Sequence, residues 1–125
     1  MFRVSKQMEI SASHKLDLPY ESPCCNLHGH NYYVTVYVRA ERLNKAGMVI
    51  DFMTLKRLIH DKMDHKHLND LFGANPTGEF MAGYIAGIID ADRTIDDIER
   101  KVCCYRVDVE ETRNNIATWE KDDEN

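Results

Sequence analysis

His28 and His30 flank a single glycine at the entrance to a strongly β-like run. In an extended chain residues two apart project to the same side, so this pair can present two imidazoles to one ion. His14 follows an earlier strand-like run from Phe2 to Ile10, and if the two runs pair as an antiparallel hairpin, the end of the first lies beside the start of the second. Three histidines with no obvious fourth protein ligand leave a coordination position for water or substrate, the arrangement of a catalytic rather than a structural zinc. The plainer alternative is three loop histidines with no metal.

Other groups able to do chemistry lie close by in the chain. Cys24 and Cys25 stand four and three residues before His28, near enough for a thiol to face a metal-bound substrate. A thiol beside a dication ionises more readily and can act as a base. The rival readings are a fourth metal ligand, which would close the site, and inert thiols. Asp64-His65, within MDHKHLND, pairs a carboxylate with an imidazole it can orient as a proton relay. Adjacent residues of a helix do not face each other, so the chain must leave helical geometry there. His60 and His67 are alternatives to His65, each more simply a surface residue. Glu110-Glu111 closes a late strand, where a carboxylate can accept paired N–H donors from a flat heterocycle. Strand neighbours face opposite sides, so only one of the two can serve.

These residues need strands and helices to hold them. In the first run Phe2, Val4, Met8 and Ile10 share a face, and Ala12 and His14 continue it if no bulge intervenes. From about His30 to Ala40, Tyr32, Val34, Val36 and Val38 alternate with Tyr33, Thr35, Tyr37 and Arg39. The histidines have the parity of the valine face, which puts the metal at the rim of the buried side. Asp51 can cap a helix carrying Phe52, Leu55, Leu58, Ile59 and Met63 at helical spacing. Asn75-Pro76-Thr77 reads as a turn and cap before a second helix with Met81, Tyr84, Ile85, Ile88 and Ile89 as its apolar stripe. The Gly83/Gly87 pair in that helix is read as close packing in the core rather than a membrane motif. Strand character returns from about Lys101 to Glu111 and around Ile116 to Trp119. The order is β-β-α-α-β-β: an α+β domain with a four-stranded antiparallel sheet and two helices on one face. The second face, with Tyr33, Thr35 and Tyr37, points to burial between subunits.

At 125 residues the chain is a single domain, 1–125, short for a self-contained enzyme pocket. A net charge of −5 without a basic stripe argues against nucleic acid as a partner. No segment reaches the roughly 20 apolar residues of a membrane helix and the N-terminus lacks a signal-like apolar core, so a cytoplasmic protein without membrane attachment is expected. The four cysteines fall in two adjacent pairs, read as reduced thiols rather than a disulfide framework. The tail from Glu120 to Asn125 is polar and acidic.

The ordered motifs SASHKL around His14, C-x-x-x-H-G-H from Cys24 to His30, VIDF from Val49, MDHKHLND from Met63, NPTGE from Asn75 and VEET from Val109 closely resemble the 6-pyruvoyltetrahydropterin synthase family of T-fold proteins. The C-x-x-x-H-G-H spacing is most similar to its 6-carboxytetrahydropterin synthase branch. The resemblance implies zinc on His14, His28 and His30, a catalytic thiol at Cys24, a catalytic Asp64-His65 pair, and anchoring of the pterin by Glu111. It also implies a hexamer with sites at subunit interfaces. The implied reaction is a zinc-dependent lyase conversion of 7,8-dihydroneopterin triphosphate to 6-carboxy-5,6,7,8-tetrahydropterin, releasing acetaldehyde and triphosphate on the route to 7-deazaguanine and queuosine precursors. The alternatives are 6-pyruvoyl product formation and a non-catalytic zinc-stabilised binding module. Lys15, Arg39 and Arg113 are candidates for the triphosphate. The stretch from NPTGE to VEET, which contains DADRTIDDIERK, is several residues longer than in compact members of the family, which leaves Glu110 against Glu111 open.

Overall fold

The computed structural model describes residues 1–92, 95 and 99–122. Five residues of DADRTIDDIERK, Arg93, Thr94 and 96–98, and the last three residues of the acidic tail lie outside these. The order is β1 (Phe2–His14), β2 (His28–Ala40), α1 (Phe52–Leu55), a π-helical stretch Lys56–His60, α2 (Asp61–Met63), β3 (Lys66–His67), α3 (Leu68–Leu71), α4 (Gly78–Ala91), β4 (Cys103–Thr112) and β5 (Asn115–Glu120). One sheet runs in the order β3-β1-β2-β4-β5, with helices over one face, an α+β architecture.

β1 and β2 form an antiparallel ladder without a bulge from Phe2↔Ala40 to His14↔His28. Alternation therefore holds along all of β1, and Met8, Ile10, Ala12 and His14 are buried opposite the Tyr32, Val34, Val36, Val38 face of β2. The sheet has five strands rather than four: the two-residue β3 pairs parallel with Ala12 and Ser13. So short an edge carries no alternation, and it forms because the turn at Asp64-His65 returns the chain alongside β1.

The helical run after Asp51 is also less regular than its apolar spacing predicts. Asp51 caps it by accepting from the Met53 N–H at 2.8 Å. A π-helical stretch then inserts before α2, the type of local widening that recurs at functional sites. Leu55, Leu58, Ile59 and Met63 are buried, while Phe52, at the first helical position, stays 46% exposed. In α4 the buried stripe is Met81, Ala82, Ile85, Ala86 and Ile89. Tyr84 lies outside it, against Phe72 and Phe80. Two alanines replace the expected tyrosine because α4 lies on β4 and β5, where small residues permit close approach. The glycine pair divides: a Cβ at Gly83 would meet Trp119 at 3.6 Å, but one at Gly87 would enter open space, so close packing does not account for Gly87. No helix among the described residues is long and apolar enough to cross a membrane. All four cysteines are free thiols.

Candidate metal centre

The register places His14 directly opposite His28, with His30 two residues further along the same face. The three rings lie edge to face with centroids 4.5, 5.0 and 4.7 Å apart. His14 is fully buried, and His28 and His30 are partly so. His14 Nδ1 lies 2.7 Å from the Pro76 carbonyl oxygen, and His28 Nδ1 lies 2.7 Å from that of Asn26. A carbonyl only accepts, so each Nδ1 carries the ring proton and each Nε2 presents a lone pair. Those two Nε2 atoms are 3.0 Å apart. Neither has a proton to share in the neutral tautomers, so they repel unless a cation lies between them. His30 Nε2 is buried without a hydrogen-bond partner. Three converging lone pairs, two fixed by carbonyls behind the rings, make a donor set that could hold a metal ion. Burial is the main cause that holds His14 and His30 below the ordinary imidazole range, which favours the neutral form able to ligate a metal.

Glu111 completes the cluster. Its Oε1 lies 3.2 Å from His30 Nε2 and 4.0 Å from His14 Nε2. The first of these contacts has ion-pair distance without hydrogen-bond alignment, so His30 Nε2 remains unsatisfied. Ligand atoms of His14, His28, His30 and Glu111 all fall within 4.8 Å of one another. Glu111 is the extra residue of a β-bulge between the Glu110↔Ile116 and Thr112↔Asn115 pairs, a device that re-aims a side chain. Glu110 instead pairs with Tyr33. On its other side Glu111 borders a cavity of about 550 Å³ lined by Gly78, Glu79, Thr112, Asn114 and Asn115. Gly78 matters here: a Cβ on it would stand 3.7 Å from Glu111 Oε2 and 3.4 Å from Ala117, narrowing the space beside the carboxylate.

Asp64 and His65 are brought together, but at the outer edge of β1 rather than among the imidazoles. α2 ends as Asp64 turns extended, and His65 takes φ 59°, the departure from helix that the dipeptide requires. His65 Nδ1 then lies 2.8 Å from Asp64 Oδ2. Asp64 Oδ1 accepts from the Ser11 N–H at 2.9 Å, and this bond is the first cause holding the carboxyl below its usual range. The His65 side chain is 83% exposed. His67 contacts the Ser13 hydroxyl at 3.0 Å, and His60 lies 3.6 Å from Asp64. Cys24 and Cys25 occupy a short 3-10 turn, Pro23–Cys25, both partly buried. Lys15, Arg39 and Arg113 do not converge: Lys15 follows β1, Arg113 lies in the β4–β5 turn, and Arg39 stands at the opposite end of β2, over Tyr105.

Three contributors are absent from the reading of the sequence. The Pro76 and Asn26 carbonyls are backbone atoms with no residue-type signature. Tyr32, whose hydroxyl lies 3.2 Å from His14 Nδ1, has the parity of His28 and His30 and could have been found by it.

Over residues 3–122 the chain matches the family described as 6-pyruvoyl tetrahydropterin synthase. It is 35% identical over 125 residues to the 6-carboxy-5,6,7,8-tetrahydropterin synthase of Bacillus subtilis (strain 168), covering 94% of this chain and 84% of that protein. It is 30% identical over 135 residues to the 6-pyruvoyl tetrahydrobiopterin synthase of Drosophila melanogaster, covering 93% and 77%. The solved structure of Caenorhabditis elegans 6-pyruvoyl tetrahydropterin synthase superposes with a TM-score of 0.72 at 27% identity, over 97% of this chain and 96% of that one.

Proposed function

The chain belongs to the 6-pyruvoyl tetrahydropterin synthase family, and from that premise we propose that it is a zinc-dependent 6-carboxytetrahydropterin synthase. Its substrates are 7,8-dihydroneopterin triphosphate and one water; its products are 6-carboxy-5,6,7,8-tetrahydropterin, acetaldehyde and triphosphate, on the route to 7-deazaguanine and queuosine precursors. The observation that carries this reading is the convergence of three carbonyl-oriented or unpartnered imidazole nitrogens beside a cavity floored by Glu111. The name of the Bacillus subtilis relative supports the 6-carboxy product.

His14, His28 and His30 would hold the zinc. When bound, it supplies a Lewis acid for the hydroxyl oxygens of the substrate side chain. The rest follows from the protein's own groups. Glu111 accepts two N–H donors from the edge of the pterin ring, which fixes the ring in the cavity. Cys24 moves a proton on the carbon framework, and His65 moves another while Asp64 Oδ2 holds its Nδ1 proton and stabilises the imidazolium. Because the dyad lies at the sheet edge and the imidazoles on the helix-covered face, a second copy of the chain completes the site in this reading. The assembly is a hexamer with active sites at subunit interfaces.

A second reading, formation of the 6-pyruvoyl product, is supported by the name of the Drosophila relative. Product analysis with 7,8-dihydroneopterin triphosphate separates them. Acetaldehyde with a 6-carboxy product is expected; a 6-pyruvoyl product would select the second reading, and no turnover by the zinc-loaded protein would leave a binding module.

A further inference from the structure

Two asparagines that the reaction above does not use hold the segment leading to the thiol. Lys15 N–H donates to Asn69 Oδ1 at 2.9 Å, and Asn69 Nδ2 returns a bond to the Lys15 carbonyl at 2.9 Å. Two residues on, Asp17 N–H donates to Asn75 Oδ1 at 2.9 Å, and Asn75 Nδ2 donates to the Asp17 carbonyl at 3.0 Å. A primary amide offers a donor and an acceptor at once, so each asparagine takes the part a neighbouring strand's peptide would play. Leu16, between the two gripped residues, faces the other way, and its N–H donates to the Cys24 carbonyl at 2.8 Å. Segment 15–17, which follows β1, is thus held on one side by Asn69 and Asn75 and bonded on the other to the residue that carries the thiol.

Asn75 also precedes Pro76, whose carbonyl orients His14, and Thr77, whose hydroxyl caps α4 by accepting from the Phe80 N–H at 3.1 Å. One tripeptide therefore touches a metal ligand, the thiol segment and the start of α4.

We infer that Asn69 and Asn75 are positioning residues that set where the Cys24 thiol stands relative to the three imidazoles. The inference rests on the reading of Cys24 as the group that moves a proton. It adds the device that fixes that group: two side-chain amides acting through the backbone of residues 15–17. A displacement of about 1 Å at a reacting group can cost on the order of a hundredfold in rate, so loss of both clamps is felt in kcat before it is felt in substrate affinity.

The test uses the full-length, zinc-loaded chain with Cys25→Ser, which leaves Cys24 as the one thiol of the turn. Asn69→Ala and Asn75→Ala are made singly and together. Zinc content, kcat and KM are measured, together with the rate of iodoacetamide alkylation of Cys24, located by mass spectrometry with Cys103 as the internal reference. The double variant is expected to lose about tenfold to a hundredfold in kcat with little change in KM. It should keep its zinc and alter the Cys24 alkylation rate severalfold, with Cys103 unchanged. Asn69→Asp with Asn75→Asp guards against a folding failure: near-isosteric, it keeps the acceptors for the Lys15 and Asp17 N–H groups but sets oxygen against their carbonyls. It should show the same defect in milder form. An unchanged alkylation rate in the double variants overturns the inference. So does a loss of kcat that comes only with loss of zinc and of the folded state, the aspartate pair behaving as the parent. If Cys24→Ala kept its turnover, the catalytic reading of the thiol would fall, and the clamp would stand or fall on the alkylation rate alone.

Discussion

Glu111 stands between two environments, its Oε1 toward the imidazoles and its Oε2 toward the Gly78 side of the cavity. Replacing one carboxylate oxygen by an amide donor should weaken pterin binding in Glu111→Gln by about 1.5–3 kcal/mol, the scale of a charged hydrogen bond lost in a partly buried site. Glu110→Gln, on the other side of the strand, should be nearly silent; calorimetric titration of both zinc-loaded variants decides, and a severe Glu110→Gln would move the anchor by one residue. The imidazoles make a second prediction. Burial lowers the folded-state ionisation of His14 and His30 below their usual 6.5. As pH falls the unfolded chain therefore takes up protons first, and native stability present above that value is lost below it. Metal-free protein should thus show a lower urea midpoint at about pH 5.5 than at about pH 7.5; an equal or higher midpoint at the acid end would contradict neutral, buried ligands. The three histidines were legible because their spacing is local and an unbulged hairpin carries parity across strands. The bulge that aims Glu111 and the Pro76 carbonyl behind His14 were not, since they depend on pairing with β5 and on a turn 62 residues from His14.

At the scale of elements, alternation predicted β1, β2, β4 and β5, and the caps Asp51 and Thr77 stand where their residue types suggest. The misses share a cause. A two-residue strand and a π-helical stretch have no periodicity of their own; tertiary contacts with β1 and the turn at Asp64 make them. The stripe of α4 departs for the same reason, since contact with β4 and β5 decides which residues are buried. Ile85→Ala should therefore cost about 2–5 kcal/mol by opening a fully buried site. Tyr84→Ala, at a 36% exposed position, should cost far less in the same chemical denaturation series; the reverse ranking would restore Tyr84 to the core.

For the whole molecule, the open face of the sheet carries a connected polar layer rather than scattered tyrosines. Tyr37 and Thr118 hydroxyls donate to Asp108, which also pairs with Arg106 at 3.0 Å, and Arg3 and Arg39 lie over Tyr105. The sequence placed Tyr33, Thr35 and Tyr37 on this face; cross-strand partners were beyond it because they depend on the β2–β4 register and its bulge at Tyr37/Val38. The placement of the Asp64-His65 dyad at the edge of β1, outside the cluster of His14, His28, His30 and Glu111, makes a shared site testable. Cys24→Ala and His65→Ala should each lose about two to four orders of magnitude in turnover. Co-refolding the two inactive variants should restore part of it, because some interfaces then receive one intact group from each chain. Equal inactivity of the mixture and its components would place the whole reaction within a single chain.

Metal content and turnover measured on the same samples test the central claim most directly. The wild-type chain should hold one zinc per subunit and convert 7,8-dihydroneopterin triphosphate. His28→Ala should lose metal and turnover together, and Cys24→Ala should keep the metal while losing turnover. Zinc lost from Cys24→Ala would mean a closed cysteine–histidine site, and turnover kept by a metal-free His28→Ala would contradict the catalytic centre outright.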